Sequence, residues 1–299
     1  MIFAGIKANI AKQIILRVLA YTVRRRRNYG LQHIFGVTSM RLLISAVTFE
    51  QYLRAGMCQL ELVPMADKHN CAGVEFRPYW QSPLNELPEI KEFLEDYNLI
   101  CTYACSDALL AESKEKVYES LERMKDNIDF AVRVGAKVMK INVAAGPFVS
   151  ATINEPWWQQ AIRGILDFAS SHEIVLAIEN APAPTSGDPE LICRIIEMFN
   201  SPYLKATFDT GNWLAAGYDP QQALEQLMPY IVYVHLKDIE PVAGGFAQSY
   251  LGGGVIDIKG LVNQLEQRGY SGYYVLEFPG GSSPARRIQN SLQYLSVGS

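Results

Sequence analysis

Glu179, Asp209, His235 and Glu277 are the residues of this 299-residue chain whose types and places could do chemistry. Each ends, or nearly ends, a short apolar run: IVLAIE at 174–179, LKATFD at 204–209, IVYVHLK at 231–237 and YYVLEF at 273–278. A charge is costly to bury at such a place unless it is paired. Three carboxylates and one imidazole on four consecutive runs make a ligand set for a divalent cation. Oxygen and nitrogen donors without a thiolate suit Mn2+, Mg2+, Co2+ or Zn2+ and differ from structural zinc sites. Mn2+ is the first expectation. Three anionic ligands around a dication leave a local charge of about −1, which favours a neutral, hydroxyl-bearing ligand.

Alternation with period two tells which neighbours share a face with these residues. Lys237 goes with His235, Arg77 with Glu75 and Asn142 with Lys140. Glu75 and Arg77 close the run GVEFR at 73–77; they read either as hydroxyl-binding groups or as an ion pair between neighbouring strands. Lys237 reads as an electrophile or polyol donor, or as a salt-bridge partner. Asp238 is placed to orient a ligand from behind, as carboxylates do for metal-bound histidine. The glycines of GGGVID at 252–257 either expose amides to a phosphate or permit a tight turn, and the turn is the preferred reading. His33, His69 and His172 stand away from the strand ends. Trp157 and Trp158 read as core or interface residues, whereas Trp80 and Trp213 follow strands and could line the mouth.

Elements that position these residues follow from the remaining pattern. Further apolar, β-branched runs lie at 41–47, 73–77, 99–105 and 137–143, which makes eight in all. Helical stretches separate them, among them 113–134, 155–172, 188–199, 220–228 and 257–268, and 284–296 closes the chain. Asp188-Pro189 and Asp219-Pro220 are N-cap and N1 pairs, and Gly135 and Gly269 follow helix ends. Eight strand–helix units predict the α/β class and a (β/α)8 TIM barrel over 41–299, with the site at the carboxyl ends of the strands. No GxGxxG opens a helix, so a nucleotide-binding doubly wound sheet has no support.

Composition sets the outer bounds. Apolar residues make up 49% of the chain and charged ones 19%, which is ordinary globular composition. No run of 18 apolar residues occurs, so no membrane span is expected. Five cysteines without a CxxC pair read as buried thiols of a reducing, cytoplasmic setting. The net charge of −4 hides an asymmetry: residues 1–40 hold seven basic residues and no acid, leaving 20 basic and 31 acidic residues beyond them. An acidic body argues against nucleic acid as a partner. Residues 1–40 read as a basic extension or as sequence ahead of a true start at Met40, because Arg17 interrupts the apolar stretch a signal peptide needs.

IEN at 178–180, FDTGN at 208–212, HLKD at 235–238, GGGVID and LEF at 276–278, in this order, resemble the xylose-isomerase-like sugar phosphate isomerase/epimerase superfamily. The resemblance implies a metal held by Glu179, Asp209, His235 and Glu277, with Glu179 and Glu277 doubling as proton-transfer groups. Asn212 stands where ketose 3-epimerases carry a substrate-binding His, and the Asp-x-Gly-Asn run is similar to that of pentulose-phosphate epimerases. Pro241 falls near the place of an arginine that free-ketose epimerases use. The superfamily's three-zinc DNA-repair endonuclease needs more histidines than four can supply at the strand ends.

The expected function is therefore a metal-dependent sugar or sugar-phosphate isomerase or epimerase acting through an enediolate. Glu179 and Glu277 act as acid and base, and Glu75, Arg77, Asn142, Asn212 and Lys237 hold the substrate. Three alternatives remain at this point. One is an inosose-dehydratase-like lyase on a cyclic polyol ketone. Another is a Schiff-base aldolase using Lys237. The third is a non-catalytic sugar-binding barrel. A homo-oligomer is compatible with exposed barrel helices, but no stripe specifies one.

Overall fold

The structure is a computed structural model that describes residues 40–297. All of the basic N-terminal segment except Met40 lies outside the described residues, as do the last two residues of the expected barrel span. Eight parallel strands close into a barrel: β1 (Arg41–Ser45), β2 (Gly73–Phe76), β3 (Ile100–Ala111), β4 (Val138–Ala145), β5 (Val175–Glu179), β6 (Leu204–Asp209), β7 (Ile231–Leu236) and β10 (Tyr273–Leu276). Around the barrel the order is β1-β10-β7-β6-β5-β4-β3-β2, so each strand pairs with its sequence neighbour in the ring. This is the (β/α)8 TIM barrel that the run pattern predicts.

The expected helix signals act as caps. Asp188 and Asp219 accept hydrogen bonds from the amides of Glu190 and Gln221, each followed by a proline at the first helical position. Gly135 ends the long helix Lys114–Val134 in the left-handed region, φ +90°, which glycine adopts without steric cost. The amphipathic helices bury their apolar stripes between barrel and solvent, forming the large core around Ile44, Phe76, Ile141, Trp158 and Ile178.

A second, small cluster lies among the strands: Leu43, Val138, Ala177, Tyr233 and Val275. Side chains two residues apart on a strand share a face. Two residues beyond these five stand Ser45, Lys140, Glu179, His235 and Glu277, all of them buried. The apolar cluster is thus the floor of the barrel interior, and a polar layer begins directly above it at the carboxyl ends.

One element departs from the sequence reading. Between β7 and the following helix, β8 (Asp238–Val242) and β9 (Gly245–Ser249) form an antiparallel hairpin outside the barrel. Its outer half, from Glu240 to Phe246, is exposed. With both faces in water there is no apolar alternation to betray a strand.

The glycine loop behind the hairpin is a tight turn held by Asp238. Its carboxylate accepts backbone hydrogen bonds from Ile239 and Ile256 on Oδ1 and from Gly252 and Gly254 on Oδ2, at 2.9–3.1 Å. A Cβ on Gly254 would lie 2.1 Å from the Ile239 carbonyl oxygen, so only glycine fits there. These contacts correct the expectation for Asp238, which orients the loop and not a ligand. They also occupy the amides that could have cradled a phosphate.

Removing that acceptor strands four amides at once. Asp238→Ala is expected to cost about 3 kcal/mol of stability, since each buried donor left unpaired is expensive. Urea unfolding measures this directly, and an unchanged midpoint would show that the loop stands without Asp238.

Candidate metal centre

The four strand-end residues converge. Glu179 closes β5, Asp209 closes β6, His235 lies near the end of β7, and Glu277 follows β10. All four are buried, and each offers a donor atom within 4.8 Å of the others. His235 Nδ1 stands 2.5 Å from Glu179 Oε1 and 3.9 Å from Glu277 Oε2. Asp209 is aimed by its own chain, because Oδ1 accepts the amides of Gly211 and Asn212 at 3.0 and 2.9 Å. Two further buried oxygens, Asp209 Oδ2 and Glu277 Oε2, face inward with Lys237 Nζ beside both. Three carboxylate oxygens and one imidazole nitrogen, buried and within 4.8 Å of one another, are the donor set a divalent cation takes, so these residues fit one.

Three permanent cations compensate the carboxylates. Lys237 Nζ is 2.9 Å from Asp209 Oδ2 and 2.5 Å from Glu277 Oε2. Lys140 Nζ is 2.6 Å from Glu179 Oε2, and Arg77 bridges Glu75 and Glu277 at 3.0 and 2.8 Å. Burial by itself would raise Glu277, but Lys237 and Arg77 outweigh it and hold its carboxyl down at about 2. Glu179 is likewise held low, with Lys140 and His235 overcoming its burial. For Asp209 burial wins over Lys237 and pushes it up to about 6. His235 is buried too, yet Glu75 and Glu179 hold its imidazolium up to about 10.

These contacts decide several readings. Glu75 is the clearest correction: it has no free lone pair for a substrate hydroxyl. Oε1 accepts from Ser45 at 2.6 Å and Arg77 at 3.0 Å, while Oε2 takes Tyr233 at 2.7 Å and His235 Nε2 at 2.6 Å. The carboxylate behind the histidine is thus Glu75 and not Asp238. Arg77 is spent on two glutamates, in line with the ion-pair alternative.

Lys237 carries a strongly raised pKa despite its burial, because Asp209 and Glu277 flank it. An amine held as ammonium is a poor nucleophile, which removes the basis of the Schiff-base alternative. Asn212 gives its amide to Asp209 and its side chain to the Asn180 carbonyl at 2.8 Å. Asn142 accepts from Lys140 at 2.8 Å and is half-buried. Lys140, named in the sequence only as a neighbour of Asn142, proves to be the direct partner of Glu179. Its place two residues after the floor residue Val138 was the available clue.

With all these groups included, four carboxylates face Arg77, Lys140 and Lys237. A dication beside a neutral His235 would leave the cluster at about +1, not −1. Trp158 is core, as expected. Trp213 is fully buried against Phe208, so it does not line the mouth, and Trp80 is packed beside Tyr103 and Phe76. His172 lies on the outer helices, beside a hollow of about 390 Å³ that also borders Asp129 and Arg133. Among the described residues no helix is long and apolar enough to cross a membrane.

A closed barrel with buried carboxylates and an imidazole converging at its carboxyl ends is of the (β/α)8 class, whose sites lie at that face. The chain belongs to the xylose isomerase-like TIM barrel family, whose model matches residues 63–296. It is 29% identical over 161 residues to L-ribulose-5-phosphate 3-epimerase UlaE of Escherichia coli O1:K1 / APEC, covering 53% of this chain and 56% of that protein. The chain thus spans about half the length of the curated relatives it matches. Among solved structures, a D-tagatose 3-epimerase-like protein aligns over 86% of this chain and 98% of its own, with TM-score 0.70 and 21% identity. The IOLI protein with a bound zinc atom aligns over 85% and 96%, with TM-score 0.69 and 18% identity. At these identities the two structures bear on the fold alone.

The raised pKa of His235 has a measurable sign. Its folded value of about 10 exceeds the ordinary 6.5, so the folded protein keeps a proton that the unfolded chain releases between them. In chelator, that stabilisation is complete below about pH 6.5 and declines as pH rises toward 10, by at most about 1.4 kcal/mol per pH unit. Urea midpoints at pH 7.0 and 8.5 should fall for the wild type and fall less for His235→Asn. Equal slopes would show that the imidazole does not carry the extra proton.

Proposed function

We propose that the protein is a divalent-metal-dependent ketose or ketose-phosphate epimerase or isomerase. Glu179, Asp209, His235 and Glu277 would hold the cation, with Mn2+ the first choice. The observation that carries this reading is that two carboxylates of one four-donor cluster, Glu179 and Glu277, stand at the ends of strands three places apart round the barrel. In the barrel order β5 and β10 are separated by β6 and β7, so the two glutamates would approach a bound substrate from different directions. The family and the 29% identity to a pentulose-phosphate 3-epimerase support the substrate class.

A proton beside a sugar carbonyl is too weakly acidic to leave unaided. A cation held at this site supplies Lewis-acid polarisation, worth several kcal/mol of charge stabilisation. The chain supplies the rest. One glutamate removes the proton and the other returns it, each within hydrogen-bond reach of the carbon it serves. Return to the opposite face of the same carbon epimerises; return to the neighbouring carbon isomerises. Lys237 and Arg77 keep Glu277 ionised, and Lys140 does so for Glu179, so both start as bases. The surplus positive charge of the cluster favours the oxyanion that develops on the substrate.

Purified protein refilled with Mn2+ is to be incubated with free and phosphorylated ketoses in deuterated water. NMR is expected to show metal-dependent deuterium entry, at carbon three for an epimerase or carbon one for an isomerase. Glu179→Gln and Glu277→Gln should each lower turnover about a thousandfold. Exchange that survives Glu277→Gln would overturn the paired-glutamate assignment. Absence of exchange with every ketose, with metal bound, would overturn the ketose reading.

A further inference from the structure

Directly above the apolar floor, a hydrogen-bonded chain runs across the barrel interior and ends on His235. Thr102 Oγ1 and Tyr233 Oη are 2.5 Å apart, Tyr233 reaches Glu75 Oε2 at 2.7 Å, and Glu75 Oε2 meets His235 Nε2 at 2.6 Å. Thr102, Tyr233, Glu75 and His235 are all fully buried, so water competes for none of these bonds.

The chain can be directed by counting donors. Glu75 is surrounded by Ser45, Arg77, Tyr233 and His235, two contacts on each oxygen. Arg77 can only donate. A carboxyl carrying a proton would have to donate to one of the other three, and the adjacent guanidinium and imidazole both favour its ionised form. An ionised carboxylate is acceptor-only. Hence Tyr233 donates to Glu75, Thr102 donates to Tyr233, and the Nε2 of His235 bears a proton. The nitrogen left to face Glu179 and Glu277 is Nδ1.

We propose that Glu75 is a positioning residue that fixes Nδ1 of His235 as the metal-ligating nitrogen, with Tyr233 and Ser45 holding Glu75 in place. This rests on the reading of the cluster as a metal centre. Glu75 touches neither cation nor substrate. It acts by pinning the imidazole's tautomer and its rotation about the side-chain bonds, which raises its basicity as a ligand. The same four contacts explain why a carboxylate can lie at the centre of the barrel at all: each lone-pair site has a donor.

The test uses Zn2+ alone as the probe, with the full chain and no substrate. Competitive titration against a chelator gives the affinity. Long-range 1H–15N correlation NMR of the Zn2+-loaded protein, with His235→Asn to assign the signals, shows which ring nitrogen carries hydrogen. The wild type is expected to show hydrogen on Nε2 and metal on Nδ1. Glu75→Gln is expected to lose about 10- to 100-fold in Zn2+ affinity and to show mixed tautomers at His235. Tyr233→Phe, a milder change, should lose less affinity and keep hydrogen on Nε2. Metal on Nε2 in the wild type, or wild-type affinity in both variants, would overturn the positioning role while leaving the metal centre intact. Zn2+ bound by no protein, wild type included, would overturn the metal centre itself.

Discussion

Burying four carboxylates in one end of a barrel is the constraint on which the rest of the site depends. An isolated carboxylate moved out of water costs far more than any single contact returns, so each must find a cation or several donors. Glu179 has Lys140, Asp209 and Glu277 share Lys237, and Arg77 links Glu75 to Glu277. Three fixed cations leave one negative charge uncompensated. The proton on His235 supplies the fourth positive charge, which is why a fully buried imidazole is held up and not pushed down. A divalent cation entering the cluster would take over that role and exceed it by one unit.

The architecture makes such a cluster tolerable. Leu43, Val138, Ala177, Tyr233 and Val275 close the interior below it, and the period of the strand places a polar residue above each. Stability resides largely in the separate, much larger core between strands and helices, where Trp158, Ile141 and Leu265 pack. The polar layer can therefore hold groups selected for chemistry. Gly211 belongs to the same economy of space: a Cβ there would lie 2.8 Å from Cγ of Lys237, so the turn after Asp209 must be bare for the lysine to reach the carboxylates.

Much of this was legible in the linear pattern. Each of the eight barrel strands overlaps an expected apolar run, although β3 continues past its run to Ala111 and β4 to Ala145, and aspartate–proline pairs and glycines mark helix ends that the structure retains. Glu179, Asp209, His235 and Glu277 stood out because a charge at the end of an apolar run is anomalous by itself. Other features carried no such mark. The exposed outer half of the hairpin has no buried face to impose alternation, and Asp238 looked like a ligand's support because it follows His235 closely. Its true partners are amides from Ile239 to Ile256, brought together by a loop whose path no local rule dictates.

By itself the sequence determined the barrel and which four strand-end residues converge, because both follow from local periodicity and from which face a side chain takes. Only the tertiary structure decided the partnerships. Glu75 on β2 meets His235 on β7, and Arg77 meets Glu277 across 200 residues of chain. Lys237 reaches both Asp209 and Glu277, and Lys140 turns to Glu179 on the next strand. Contacts across the interior of a closed barrel depend on strand tilt and stagger, which set which side chains share a level. Those quantities belong to the whole ring and are written in no single strand.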